Sequence, residues 1–155
     1  MQRTQNEEQE GWVGDVFGMR HFSGMRCPDI VGPFFRTKTL AADSDRMAGC
    51  LYTGRDGMQA VVRQHLAGTG RQAASAFLDN YRAAGFELVS MSGVAERGIS
   101  FKTQDWGGRT QIETLWHFAG READFSLWIA YSLPAQEAEV GPAVAAFEEM
   151  LAQQN

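Results

Sequence analysis

The chain holds two cysteines, four prolines and three histidines in 155 residues, and nowhere a long uninterrupted apolar run. Each scarcity excludes something. Crossing a bilayer as a helix takes about 18 to 20 consecutive apolar residues, so no membrane insertion is expected. Cys27 and Cys50 form no CxxC and have no histidine beside them, which argues against thioredoxin-type redox chemistry and zinc ligation. His21, His65 and His117 have none of the HxH, HxxxH or HExxH spacings that bring two imidazoles onto one ion. No metal and no cofactor is therefore expected.

Catalytic signatures are equally sparse. Gly68-Thr69-Gly70 precedes a helical pattern, but neither GxxxxGK[ST] nor a GxGxxG within a βαβ unit occurs, so these glycines read as a turn and helix cap. There is no GxSxG, and Ser126 and Ser132 fall in mid-strand rather than on a strained elbow. Asp105, Glu113 and Asp124 are dispersed. Glu113 and His117 share a strand face at a separation of ~13 Å, beyond direct acid–base contact. No catalytic residue is assigned.

Lysine is nearly missing as well: twelve of the 14 basic residues are arginine, scattered from Arg3 to Arg121, against 19 acids and a net charge of -5. An acidic chain without a basic cluster repels phosphate backbones, so no nucleic-acid partner is expected. The start, Met1 to Glu10, is polar and acidic rather than a basic segment followed by an apolar one. As written it suggests a cytoplasmic chain, and a periplasmic or envelope protein whose export signal had been removed would read the same.

What is present is a folded-domain pattern, with 44% hydrophobic and 21% charged residues. Residues 1–25 read as a flexible or loosely packed arm, in which Trp12 to Met25 suit either a short amphipathic helix interrupted by glycines or an irregular strap over an apolar surface. Residues 26–155 read as a single α+β domain. A strand at 34–39 is followed by a hairpin whose turn is Gly54-Arg55-Asp56-Gly57, and Met58 to Leu66 alternate as in a sheet with one buried face. Ala74, Phe77, Leu78, Tyr81 and Ala84 then repeat at helical spacing over 71–84, with Gly85 placed to end the helix. Strands at 86–91, 99–103, 109–118 and 125–133 follow, joined by short turns that enforce antiparallel neighbours. A closing helix buries Val144, Phe147 and Leu151, with Pro142 in its first turn. The expected order is β-ββ-α-ββββ-α, an antiparallel sheet of about six to seven strands with helices packed on it.

Two features stay open at this point. Cys27 and Cys50 are either a disulfide or two buried free thiols. Trp106, Trp116 and Trp128 all fall in the second half, and Trp128 points opposite to Phe125, Leu127 and Ile129. Trp128 therefore either belongs to a second core under a helix, or lines a ligand or partner surface with Trp106, Arg109, Glu113 and His117.

The layout resembles that of PsbP-like proteins. The segments that carry the likeness are Gly49-Cys50-Leu51-Tyr52 through Leu66, the helix ending Tyr81-Arg82-Ala83-Ala84-Gly85-Phe86, and Glu113-Thr114-Leu115-Trp116 through Phe147. Over residues 30–153 the resemblance implies an α/β/α sandwich without common catalytic residues, nearer to adaptor or assembly proteins than to enzymes. It favours helices on both faces, and an envelope location would favour the disulfide. The functional expectation is a non-enzymatic binding or accessory protein with a protein or small-molecule partner, a homo-oligomer being compatible. The alternative is a cystatin-like pocket protein or enzyme with its cavity between the sheet and the C-terminal helix.

Overall fold

The computed structural model describes residues 10–42 and 47–154. Eleven strands and two helices follow one another: β1 (Trp12–Gly14), β2 (Gly18–His21), β3 (Arg26–Pro28), β4 (Ile30–Val31), β5 (Phe34–Leu40), β6 (Gly49–Thr53), β7 (Gln59–Leu66), α1 (Gly70–Ala83), β8 (Glu87–Val89), β9 (Ile99–Trp106), β10 (Arg109–Phe118), β11 (Ala123–Leu133) and α2 (Glu137–Ala152). Strands β4 to β11 form one sheet in the order β4-β5-β6-β7-β11-β10-β9-β8, and every pairing is antiparallel. The α+β class is as expected, with eight strands rather than six or seven. Two four-strand meanders, each followed by a helix, meet along the β7–β11 seam. Among the described residues no helix is long and apolar enough to cross a membrane.

The alternation of β11 divides the molecule into two layers. Phe125, Leu127, Ile129 and Tyr131 are buried on one face. There α2 seals the core: Phe147 meets the rings of Phe34 and Tyr52 edge-on at 5.1 and 5.3 Å. Ser100, Thr114 and Tyr131 lie in the same layer, and their hydroxyls form a chain with both steps at 2.8 Å, so burial leaves no oxygen unpaired. Helix α2 begins earlier than its sequence suggests. Pro142 is its sixth residue, past the first turn, and has no N–H to donate to the carbonyl four residues back.

On the other face lies α1, whose Phe77 and Tyr81 meet Phe101 at 5.7 and 5.3 Å. Its end is a Schellman motif. The N–H of Gly85 donates to Arg82, that of Phe86 to Tyr81, and the Phe86 and Tyr81 rings pack at 5.5 Å. Gly85 has φ +88°, a conformation that a side chain would strain. Helix α1 packs on β9, β10 and β11, and no helix among the described residues packs comparably on this face of β5 to β7.

The stretch 12–28 is neither helix nor strap. It folds as a separate three-stranded antiparallel sheet, β1-β2-β3. Gly24 lies in its β2–β3 turn at φ +98° while Gly14 and Gly18 end and begin strands, and Trp12 and Met25 are completely buried in the main core. Several polar contacts fasten it. Ser23 Oγ donates to Gln64 Oε1 at 2.6 Å, Tyr52 OH to the Pro28 carbonyl at 2.7 Å, and the Gln154 amide brackets the Arg26 backbone at 2.9 and 2.8 Å. A Cys27–Cys50 disulfide ties β3 to β6, with both residues inaccessible to solvent. Of the polar start, Met1 to Glu10, residues 1–9 lie outside the described residues.

Candidate functional site

The register of the sheet arranges the α1-side residues in rows that run across the strands. Leu51, Val61, Trp128 and Leu115 are successive cross-strand partners and make an apolar row. Two residues along each strand, about 7 Å away, Arg63, Ser126 and His117 make a polar one. Beyond it, His65 stands opposite Asp124. On the far side of the apolar row are Gln59, Ala130 and Glu113.

Helix α1 crosses these rows and leaves a groove of about 910 Å³ between itself and the uncovered strands. Leu40, Val61, Leu115 and Trp128 supply its floor, and Ala73, Ala76 and Phe77 its helical wall. Arg63, His65 and Ser126 line the polar part. The volume is within the range of small-molecule sites.

Trp128 is held at the edge of this groove by a triangle of hydrogen bonds. Its indole N–H reaches Glu113 Oε1 at 3.2 Å and the Tyr81 hydroxyl at 3.3 Å, and Tyr81 in turn donates to the same carboxylate oxygen. Burial, reinforced by that carboxylate, pushes the Tyr81 phenol above its ordinary pKa. The phenol is therefore a donor throughout the neutral range, fixing the indole plane against the groove.

At the other end Ser126 Oγ and His65 Nε2 are 2.8 Å apart, and both residues are buried. Burial and the neighbouring Arg63 charge lower the His65 pKa, while Asp124 opposes them, so the imidazole is neutral near pH 7. Asp124 does not complete a relay. Its two carboxylate oxygens accept the backbone N–H groups of Gly70 at 2.9 Å and Gly120 at 3.3 Å, fastening the start of α1 to β11. Burial alone would raise its pKa, but these donors outweigh that and hold it below the usual carboxylate value. A nucleophile–base–acid triad needs the acid on the far imidazole nitrogen. Here the carboxylate is spent on the helix terminus.

The five residues singled out from the sequence do not form one surface. Trp128 and Glu113 come together at the groove. Trp106 and Arg109 face each other across the β9–β10 hairpin end, both exposed, with Trp106 at 58%. His117 is exposed on β10, close enough to Asp124 to favour its ionised form. The expected place of the cavity also changes. The space between the sheet and the C-terminal helix is filled by Phe34, Tyr52, Leu127, Ile129 and Phe147, and the groove opens on the opposite face, against α1. Val61, Arg63 and His65 were legible as the alternate set of β7, but one-sided alternation assigns that set to solvent. Among the described residues no group of histidine, cysteine or carboxylate side chains is placed to hold a metal.

Comparison with protein-family models, with curated proteins and with solved structures finds nothing that matches the chain.

Proposed function

We propose that this is a non-enzymatic binding protein and that the groove between α1 and the sheet receives its ligand, a small molecule with an extended apolar body. The observation that carries this reading is the groove itself: about 910 Å³ of space beside a tryptophan locked in place by Glu113 and Tyr81. A half-covered sheet face with oriented aromatic walls suits binding, and the engagement of Asp124 by the Gly70 and Gly120 amides argues against acyl-transfer chemistry.

The test is a thermal-shift screen of apolar and amphipathic compounds on the wild type and on Ala76→Trp, which fills the groove from an exposed helical position. A ligand at 100 times its dissociation constant stabilises by about 2.7 kcal/mol, a rise of roughly 5 to 11 °C for a chain of this length. Ala76→Trp keeps the unliganded melting temperature and loses the rise. Equal shifts in both proteins would place binding elsewhere and end the groove reading. A second reading, a protein partner met by the β1–β2 turn, is favoured by Val16 and Phe17, which are 90% and 80% exposed there.

A further inference from the structure

Apart from the groove, we infer that the outer face of the small β1-β2-β3 sheet docks on an anionic lipid surface. The pleat sets Trp12, His21 and Cys27 inward, where all three are buried, and Val13, Arg20 and Arg26 outward, where all three are exposed. The register makes Val13, Arg20 and Arg26 successive cross-strand partners, so two guanidinium groups stand directly opposite each other. Like charges in that position repel. No carboxylate stands in the row, and among the described residues neither guanidinium has an ion pair or hydrogen bond. The acids that flank the row in sequence are engaged. Asp15 Oδ1 accepts the N–H groups of Phe17 and Gly18, both at 2.9 Å, and Asp29 pairs with Arg36 at 2.9 Å.

Apolar groups bracket the arginines. Val16 and Phe17 precede β2 and Phe22 follows it, and these are the three most exposed large apolar side chains among the described residues. The β1–β2 turn spends its polar groups on its own surroundings. Besides the bonds to its carboxylate, the Asp15 N–H donates to the Gly18 carbonyl at 2.8 Å, and the Phe17 carbonyl accepts from the Asp29 N–H at 3.1 Å. Its backbone therefore enters a headgroup layer at little desolvation cost. The platform is fastened by the Cys27–Cys50 disulfide and the buried Trp12. Charge complementarity selects the occupant. Paired arginines fit a layer of phosphate groups, which relieves their mutual repulsion, and phenyl rings beside them suit the boundary between headgroups and acyl chains. A protein interface has the reverse anatomy, apolar at the centre and charged at the rim. A chain of net charge -5 is otherwise repelled by such a membrane, so this face alone meets it.

The experiment is cosedimentation of the full chain with vesicles of phosphatidylcholine alone and of equimolar phosphatidylcholine and phosphatidylglycerol. Wild-type protein binds the mixed vesicles about tenfold or more tightly than the neutral ones, and the preference shrinks as salt rises. Arg20→Gln combined with Arg26→Gln lowers affinity for the mixed vesicles about 25-fold, roughly fivefold for each charge removed. Phe17→Ser lowers it about tenfold. Ala76→Trp, which alters the groove alone, binds vesicles as the wild type does. All four positions are exposed, and the wild-type lipid ranking is decisive by itself if a variant folds poorly. Equal binding to both vesicles, no binding, or full affinity in the double arginine variant overturns the docking face and leaves the groove reading standing. Loss of vesicle binding in Ala76→Trp assigns the lipid to the groove and overturns it too. If the mixed vesicles fail to bind while light scattering shows a doubled mass that Phe17→Ser abolishes, a second copy of the chain occupies the turn instead.

Discussion

Replacing Cys27 and Cys50 together by alanine tests what the disulfide contributes. The bonded residues are 23 apart in sequence, and both side chains are inaccessible to solvent. In the chain-entropy description, closing a loop of this length removes about 11.5 cal/mol/K from the unfolded ensemble, or about 3.4 kcal/mol at 25 °C. The native side changes little. Strand β3 stays fastened by Tyr52 to the Pro28 carbonyl, by Arg36 Nη1 to the Cys27 carbonyl at 2.8 Å, and by Gln154 around Arg26. The loss thus appears almost wholly through the unfolded chain, and against a typical total of about 5 to 15 kcal/mol it is a large share. Urea unfolding of the double variant, followed by tryptophan fluorescence, is expected to give a midpoint lowered accordingly and a steeper slope, because an unclosed chain exposes more surface. The melting temperature falls by about 7 to 14 °C. Intact mass of the native protein, lower by two hydrogens than after reduction, confirms the bond. A loss below about 1 kcal/mol with an unchanged slope would refute the loop-closure account.

His65 makes stability fall on acidification. Its folded pKa is lowered, so between the ordinary histidine value of 6.5 and the folded value the unfolded chain binds more protons. Stability is therefore full above pH 6.5 and declines below it, and His65→Gln flattens that slope in a series of urea titrations from pH 7.5 to 4.5. Glu113→Ala leaves the Tyr81 hydroxyl and the Trp128 indole without their shared acceptor, at a cost of about 1 to 3 kcal/mol. It also lowers the alkaline transition of Tyr81, read by phenolate absorbance, since the carboxylate helps to hold that pKa above 10.0.

The second meander was legible almost residue by residue. Arg109–Phe118 is a strand with the bounds its pattern suggests, and the Phe125–Leu133 alternation is the spine of the α2-side core. Those strands carry strict period-two sequences between glycine turns, so local pattern and tertiary burial agree. The small sheet at 12–28 was not legible, because its strands are three to four residues long and its burial depends on Gln64, Tyr52 and Gln154, remote in sequence. The expected strand at 86–91 shrinks to Glu87–Val89, because it is an edge strand with a single neighbour, β9. Trp128 stood out correctly as a residue facing away from the main core. Of the residues expected beside it, Glu113 meets it at the groove, whereas Trp106 and Arg109 look near in sequence yet sit at the far hairpin end, and Val61 and Arg63 arrive from across the seam and Phe77 from α1.

That seam also sets an order of events. Each meander pairs neighbours in sequence and closes short loops, whereas β7 and β11 join residues 59–66 to residues 123–130, the longest-range pairing in the main sheet. Loop-closure entropy delays such contacts until local ones can reward them. The groove is assembled from both sides of the join, with Val61, Arg63 and His65 from one meander and Leu115, Ser126 and Trp128 from the other. Neither half alone owns the whole groove. A ligand bound there as proposed would bridge the seam and act as a clamp on the last step of folding. Each meander prepared as a separate fragment would be mute toward that ligand until the two were mixed, which makes ligand capture a direct readout of whether the halves have found one another.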